Sequence, residues 1–326
     1  MSIGLDIGTM NIVSAKRTEA GIETQRMRDA FLDLPKASKK VLKMGNVSFV
    51  EREGEILLLG DAALEMANIF GKEVRRPLSK GLVSPSEIDS LEVLGFLIKE
   101  VIGQGTGQVC FFSVPAAPVD DKSQDIVYHK GVFERIVTDC GYKAIASNEA
   151  MAIIFAEAAK EHFSALSFSF GSGMTNIALA FNGIEGMSFS VQRGGDWIDS
   201  GSARSLGSTQ SRMCHIKEQG IDLANPQSRD EEALTFYYKE LIRYVLDWVG
   251  KEFIERQLSQ LVTRPIPIII SGATSKPTSF LEIFKEELEE RKKRLGMHFS
   301  DVRLASDQLN AVAKGLLVQA INEEEE

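Results

Sequence analysis

Residues 4–11 read Gly-Leu-Asp-Ile-Gly-Thr-Met-Asn, and their types could grip a phosphate and a metal ion. Ile3, Leu5 and Ile7 alternate as an apolar strand that carries one acid, Asp6. The strand breaks at Gly8-Thr9 and resumes at Ile12-Val13. Glycine has no Cβ, so backbone N–H groups in such a turn can approach a phosphate closely. Asp6 beside that turn suits a hydrated magnesium ion, which prefers carboxylate and water oxygens. The combination implies a nucleotide site near the start of the chain.

A second stretch echoes the first. Phe168-Ser169-Phe170-Gly171-Ser172-Gly173-Met174-Thr175-Asn176-Ile177 lies against Leu5-Asp6-Ile7-Gly8-Thr9-Met10-Asn11-Ile12 as strand, Gly turn and strand. Similarity at this spacing implies two related α/β halves. Two phosphate-gripping hairpins facing one another would clamp a nucleotide between those halves.

The elements that must position these turns alternate between strand and helix, as in an α/β protein. Residues 109–114 form a short continuous apolar run, which predicts a buried parallel strand. Residues 122–139 predict a helix, residues 144–147 a short strand, and Glu149 to about 162 a helix begun at Asn148. Ser84-Pro85-Ser86-Glu87 carries a capping box with Pro at the first helical position, predicting a helix that runs to Val101. Residues 232–258 predict the longest helix, on an apolar stripe that includes Leu234, Tyr238, Leu241, Val245 and Val249. Residues 266–270 predict another buried strand, and residues 279–295 an amphipathic helix. Residues 31–76, with strand-like pieces at 47–51 and 55–59, are expected to form a small inserted subdomain.

Composition bounds the function. The 326 residues, 44% hydrophobic and 25% charged, are enough for two domains with real cores. A formal net charge of -9 argues against nucleic acid as a partner, because phosphate-backbone binding needs clustered Lys and Arg. Cys110, Cys140 and Cys214 are too few and scattered for a disulfide framework or a zinc site, and fit a reducing cytoplasm. No apolar run reaches membrane-span length. Asp6 and the phosphate-type turn occupy the space an h-region would need, and the first strand begins by Ile3, so neither a signal peptide nor an amphipathic membrane helix is expected there. The glycine-rich residues 103–107 follow a helix and precede a strand, the reverse of a dinucleotide loop. His129, His162, His215 and His298 show no metal spacing. Arg75-Arg76 and the acidic residues 323–326 are expected to be solvated, the latter as a frayed tail.

Together these motifs resemble the actin, sugar-kinase and heat-shock-chaperone ATPase superfamily, and within it prokaryotic actin-like filament proteins of the MreB and MamK type. Residues 4–11 resemble the first phosphate loop and Phe170-Gly171-Ser172-Gly173-Met174-Thr175 the second. Ser147-Asn148-Glu149-Ala150-Met151-Ala152 resembles the connecting helix that carries the catalytic acid, which puts Glu149 in the role of polarising the attacking water. Gly194-Gly195-Asp196 resembles the Gly-Gly-Asp after the second hairpin. Ile216-Lys217-Glu218, and residues 268–274 with Gly272, Ala273 and Thr274, resemble the segments that contact adenosine. The resemblance implies an actin-like fold of two ribonuclease-H-like domains flanking a nucleotide cleft, each with a small inserted subdomain. The first would comprise residues 1–147 and 304–326, the second residues 148–303 with a reduced insertion about 205–235. ATP or ADP with Mg2+ would be the cofactor, Asp6 its metal ligand, and Gly8, Thr9, Met10 and Asn11 would line the first phosphate loop.

Three departures accompany the resemblance. The family usually carries Asp where this chain has Ser169, so one carboxylate facing the metal is missing and magnesium binding or hydrolysis is expected to be weaker. Met10 stands where a small hydroxyl residue is common, and Ala273 replaces a second Gly. The leading expectation is a cytoplasmic, nucleotide-dependent filament subunit that assembles head to tail, in paired strands, and hydrolyses ATP slowly. The alternative is a nucleotide-binding scaffold or adaptor with little or no hydrolysis, supported by Ser169. A small-molecule kinase would need an acceptor pocket with a carboxylate base, which nothing here marks, and a chaperone would need a substrate domain.

Overall fold

The computed structural model describes all residues except 46, 48, 53, 71, 85, 88, 122–125, 259–263, 296–298 and 326. The chain divides into two compact units: Met1–Val114 with Ile126–Ser147 and Leu316–Glu326, and Pro115–Asp125 with Asn148–Gly315. Residues 304–315, grouped with the first domain in the sequence reading, therefore belong to the second unit.

The first unit begins with the hairpin β1 (Ile3–Ile7) and β2 (Asn11–Thr18), followed by β3 (Gly21–Arg28). The insertion holds β4 (Phe31–Pro35), α1 (Lys39–Met44), β5 (Val50–Glu51), β6 (Glu55–Leu59) and α2 (Gly60–Phe70). A small ribbon, β7 (Leu78–Ser79) and β8 (Leu82–Val83), leads to α3 (Ser90–Ile102), β9 (Val109–Val114), α4 (Ile126–Asp139) and β10 (Lys143–Asn148). The main sheet has the order β10-β9-β1-β2-β3, with β1 antiparallel to β2 and parallel to β9. The insertion has its own sheet, β4-β6-β5, and its own core of Leu32, Leu34, Leu42, Ile56 and Leu58.

The second unit repeats the plan. After α5 (Glu149–Glu157) come β11 (Ala165–Phe170), β12 (Thr175–Phe181) and β13 (Ile184–Val191). They are followed by α6 (Gly195–Leu206), α7 (Gln210–Glu218), α8 (Arg229–Glu255) and β14 (Ile266–Ser271). The chain closes with α9 (Phe280–Leu295), β15 (Phe299–Leu304) and α10 (Ala311–Glu325). The sheet order β13-β12-β11-β14-β15 matches the first sheet strand for strand, again with three antiparallel strands and a parallel neighbour. All six residues of β11 and all six of β14 are buried, as a parallel pair covered on both faces requires. The core on this sheet is dominated by Phe168, Phe170, Tyr238, Phe280 and Phe284.

Four expectations are corrected. The helix foreseen from Ser84 starts at Ser90, because its capping groups are engaged elsewhere. The Ser84 N–H donates to Pro77 O, while Glu87 and Asp89 pair with Arg75 (Pro85 lies outside the described residues). Arg75 is therefore not a solvated cation: it also pairs with Asp33 and lies 4.5 Å from the centre of the Phe31 ring. The acidic tail is not frayed through Glu324. Lys143 donates to Glu323 at 2.8 Å, and the Val109 N–H donates to Glu324 at 3.2 Å. The helix from Glu149 also ends early, at Glu157. Of the predicted helix 122–139, residues 122–125 lie outside those described.

Candidate functional site

The two Gly turns are built alike. The Gly8 N–H donates to Asn11 O at 3.0 Å, and the Gly171 N–H donates to Met174 O at 3.0 Å. Ile7 faces Ile12 across the first hairpin as Phe170 faces Thr175 across the second, so Asp6 and Ser169 hold equivalent places. A Cβ on Gly171 would lie 2.9 Å from Met174 O, and one on Gly8 3.1 Å from Asn11 O. Both turns thus depend on glycine for close backbone approach.

In the first unit, Asp6 is half-buried beside the turn. The Ser113 hydroxyl donates to its carboxylate at 3.0 Å and itself accepts the Ile7 N–H at 2.8 Å. Burial pushes the Asp6 carboxyl up to about 6, against the opposing effect of that hydrogen bond. A divalent cation there would hold it ionised. Thr9 is buried, and the Met10 carbonyl accepts the Asp29 N–H at 3.0 Å, which ties the turn to the end of β3. Among the described residues no group of three or more His, Cys, Asp or Glu side chains is arranged to hold a metal. A single carboxylate with water and phosphate oxygens is nonetheless an ordinary magnesium donor set.

The second unit gathers most of the expected residues around Gly171. Gly171 O accepts the Gly195 N–H at 3.0 Å and the Thr274 hydroxyl at 2.8 Å, and Ser172 O accepts the Asp196 N–H at 2.8 Å. The Thr175 hydroxyl donates to Arg193 O at 2.8 Å, so it fixes the Gly194–Gly195 turn. A Cβ on Gly194 would fall 2.5 Å from Gly171 O, and one on Gly195 2.8 Å from Thr274 Oγ1. Gly272 has φ +97°, and a Cβ there would lie 2.3 Å from Phe170 O, so only glycine fits. Gly173, Met174 and Thr274 are buried, and Ala273 opens the short turn that follows Gly272.

Lys217 is not open to solvent as a simple ligand cation would be. Its Nζ lies 2.7 Å from Asp199 and 3.2 Å from Gly195 O, with side chains only 12% and 1% exposed. Burial raises the Asp199 carboxyl above its ordinary range, and Lys217 opposes this. Glu218 ends α7 beside it. The Ser172 hydroxyl, at the tip of the second hairpin, is buried without a hydrogen-bond partner. An orphaned donor beside a glycine cradle is what an anionic oxygen would satisfy, so these residues fit a nucleotide phosphate.

Glu149 opens α5, and Asn148 caps that helix by accepting the N–H groups of Ala150 and Met151 at 2.9 and 3.0 Å. Ser169 Oγ donates to Glu149 Oε1 at 2.5 Å, and Asn176 Nδ2 donates to Glu149 Oε2 at 2.9 Å. Sequence reasoning saw Asn176 only as part of a hairpin echo, and it missed Ser113 and Asp199. The signal for Asn176 lay in the register, since it faces Ser169 across the two strands.

The duplicated sheets, the paired glycine turns and the carboxylate at the head of α5 define an actin-like fold. The chain resembles the MamK double helical filament with TM-score 0.74 at 16% identity, over 100% of this chain and 98% of that one. It resembles MreB5 of Spiroplasma citri bound to AMPPNP with TM-score 0.70 at 14% identity, over 99% and 97%. The ethanolamine utilization protein EutJ from Carboxydothermus hydrogenoformans gives 0.56 at 15% identity, over 97% and 88%. The Volactin family profile matches residues 1–320, and the chain belongs to that family. No curated protein matches its sequence.

Proposed function

We propose that this chain is a nucleotide-dependent, polymerising actin-like protein that binds ATP with Mg2+ and hydrolyses it slowly to control filament assembly. The observation that carries the reading is the pair of equivalent glycine turns, accompanied in the second unit by a carboxylate held by two donors. In the first unit Asp6 would hold magnesium, and residues 8–11 would meet phosphate oxygens. In the second unit Gly171, Ser172 and Gly173 would cradle phosphate, and Glu149 would orient the attacking water. Lys217, Glu218, Gly272 and Thr274 would shape the adenosine end. Such a reaction needs positioning, a metal and one oriented water rather than covalent chemistry.

Support for nucleotide comes from solved relatives of this fold that hold AMPPNP or ADP. Support for self-assembly comes from the MamK double helical filament. Head-to-tail contacts that do not close a ring give open filaments. Among the described residues no helix is long and apolar enough to cross a membrane. A second reading, a nucleotide-binding adaptor that does not turn over, is favoured by Ser169, which brings no charge to the place equivalent to Asp6.

Sedimentation of the purified protein with and without Mg-ATP, with phosphate release followed in the same tube, tests both. The filament ATPase reading expects nucleotide-dependent pelleting and slow release that Glu149→Ala abolishes. Binding with neither pelleting nor release would leave the adaptor.

A further inference from the structure

We infer that Asn176 is the positioning residue for Glu149, and that Ser169 completes the clamp rather than marking a lost group. The inference rests on the ATPase reading above. Asn148 takes the first free N–H groups of α5, so the Glu149 carboxylate is not needed to cap its own helix. It turns instead onto β11 and β12, where one donor meets each of its oxygens: Ser169 at 2.5 Å and Asn176 at 2.9 Å. Ser169 is 2% exposed and Asn176 is fully buried. Two neutral donors fix the direction of the carboxylate, which is what a base that orients water requires.

The orientation of the Asn176 amide is itself determined. Its oxygen accepts the Ala116 N–H at 3.1 Å, so its nitrogen must face Glu149. Ala116 is held in turn, because Ser190 Oγ donates to Ala116 O at 2.8 Å. The chain from Ser190 through Ala116 and Asn176 reaches Glu149 through buried groups. Position 169 is the other arm of the clamp. Ser169 supplies the hydroxyl that meets Glu149 Oε1, so Ser169→Ala should impair turnover by removing that donor.

The test is steady-state phosphate release with Mg-ATP for wild type, Asn176→Ala, Ser169→Ala and Ser169→Thr, with nucleotide affinity and urea midpoint measured for each. Misplacing a catalytic group by about 1 Å can cost about 100-fold. Asn176→Ala and Ser169→Ala should lower kcat about tenfold, with KM and nucleotide affinity within about twofold of wild type. Ser169→Thr keeps the hydroxyl and should retain turnover. If Asn176→Ala or Ser169→Ala turns over like wild type, the inference is overturned while the ATPase reading stands. If wild type binds Mg-ATP and releases no phosphate, the ATPase reading falls, and the inference with it.

Discussion

Gly315→Ala is the sharpest probe of how the fold holds Glu149. Gly315 lies in α10 against α5, and a Cβ there would stand 1.7 Å from Ala152 O, 2.5 Å from its carbonyl carbon and 3.1 Å from its Cα. All three are backbone atoms, so no side chain can turn aside. Ordinary contact begins near 3.4 Å, so the helices must part by about 1.7 Å, the difference between 3.4 and 1.7. Overpacking of this kind costs about 1–3 kcal/mol and sometimes more, and a clash with backbone belongs at the upper end. Replacing glycine in a helix by alanine returns about 1 kcal/mol. The net loss is about 2 kcal/mol, or roughly 3 °C in Tm for a chain of this length. Ala152 is one helical turn from Glu149, so phosphate release should fall together with stability. Gly95→Ala in α3 is the control, because a Cβ there meets nothing within 4 Å, and it should leave stability equal or higher. Thermal unfolding and phosphate release on both variants decide the matter. If Gly315→Ala melts and turns over like wild type, the close approach of α10 to α5 is not as described and the reasoning fails.

Two further outcomes are expected. His129 is 2% exposed, accepts the Val83 N–H on Nδ1 at 3.2 Å, and is pushed down to about 4 by burial. The unfolded chain takes up that proton near 6.5, so between about 6.5 and 4 the unfolded state holds more protons, and stability falls as pH is lowered through that window by up to about 3 kcal/mol. Urea midpoints at pH 7.5 and 5 should differ less in His129→Asn, whose side-chain oxygen can accept the same N–H without titrating. Lys217→Ala leaves the buried Asp199 without its cation and should cost about 3 kcal/mol. Its Asp199 carboxyl, already raised by burial, would rise further without Lys217, so the deficit should be larger at pH 8 than at pH 5. Urea unfolding at the two pH values checks both the size and the sign.

What could be read from the residues alone was whatever short-range chemistry dictates. The apolar runs at 109–114 and 266–270 became buried parallel strands, because a continuous run must be covered on both faces. Asn148 capped α5 because its side chain reaches N–H groups only two and three residues on. The glycine turns repeated because a Cβ would crowd the backbone at both, within 3.1 Å at Gly8 and 2.9 Å at Gly171. The chain could not show which distant partner would claim a polar group. Ser84 and Glu87 form a sound local cap, yet Pro77 and Arg75 took those groups and moved the start of α3 to Ser90. Residues 323–324 look like a loose acidic end, and Lys143 and the Val109 N–H hold them. Ser169 read as the absence of a carboxylate until the register of β11 and β12 set it beside Asn176, with Glu149 reaching both. Sequence determined the elements and the glycine turns, because those follow from backbone geometry within a few residues. The tertiary structure alone decided the hydrogen-bond partners, because these depend on which strands and helices the packed core brings within 3 Å.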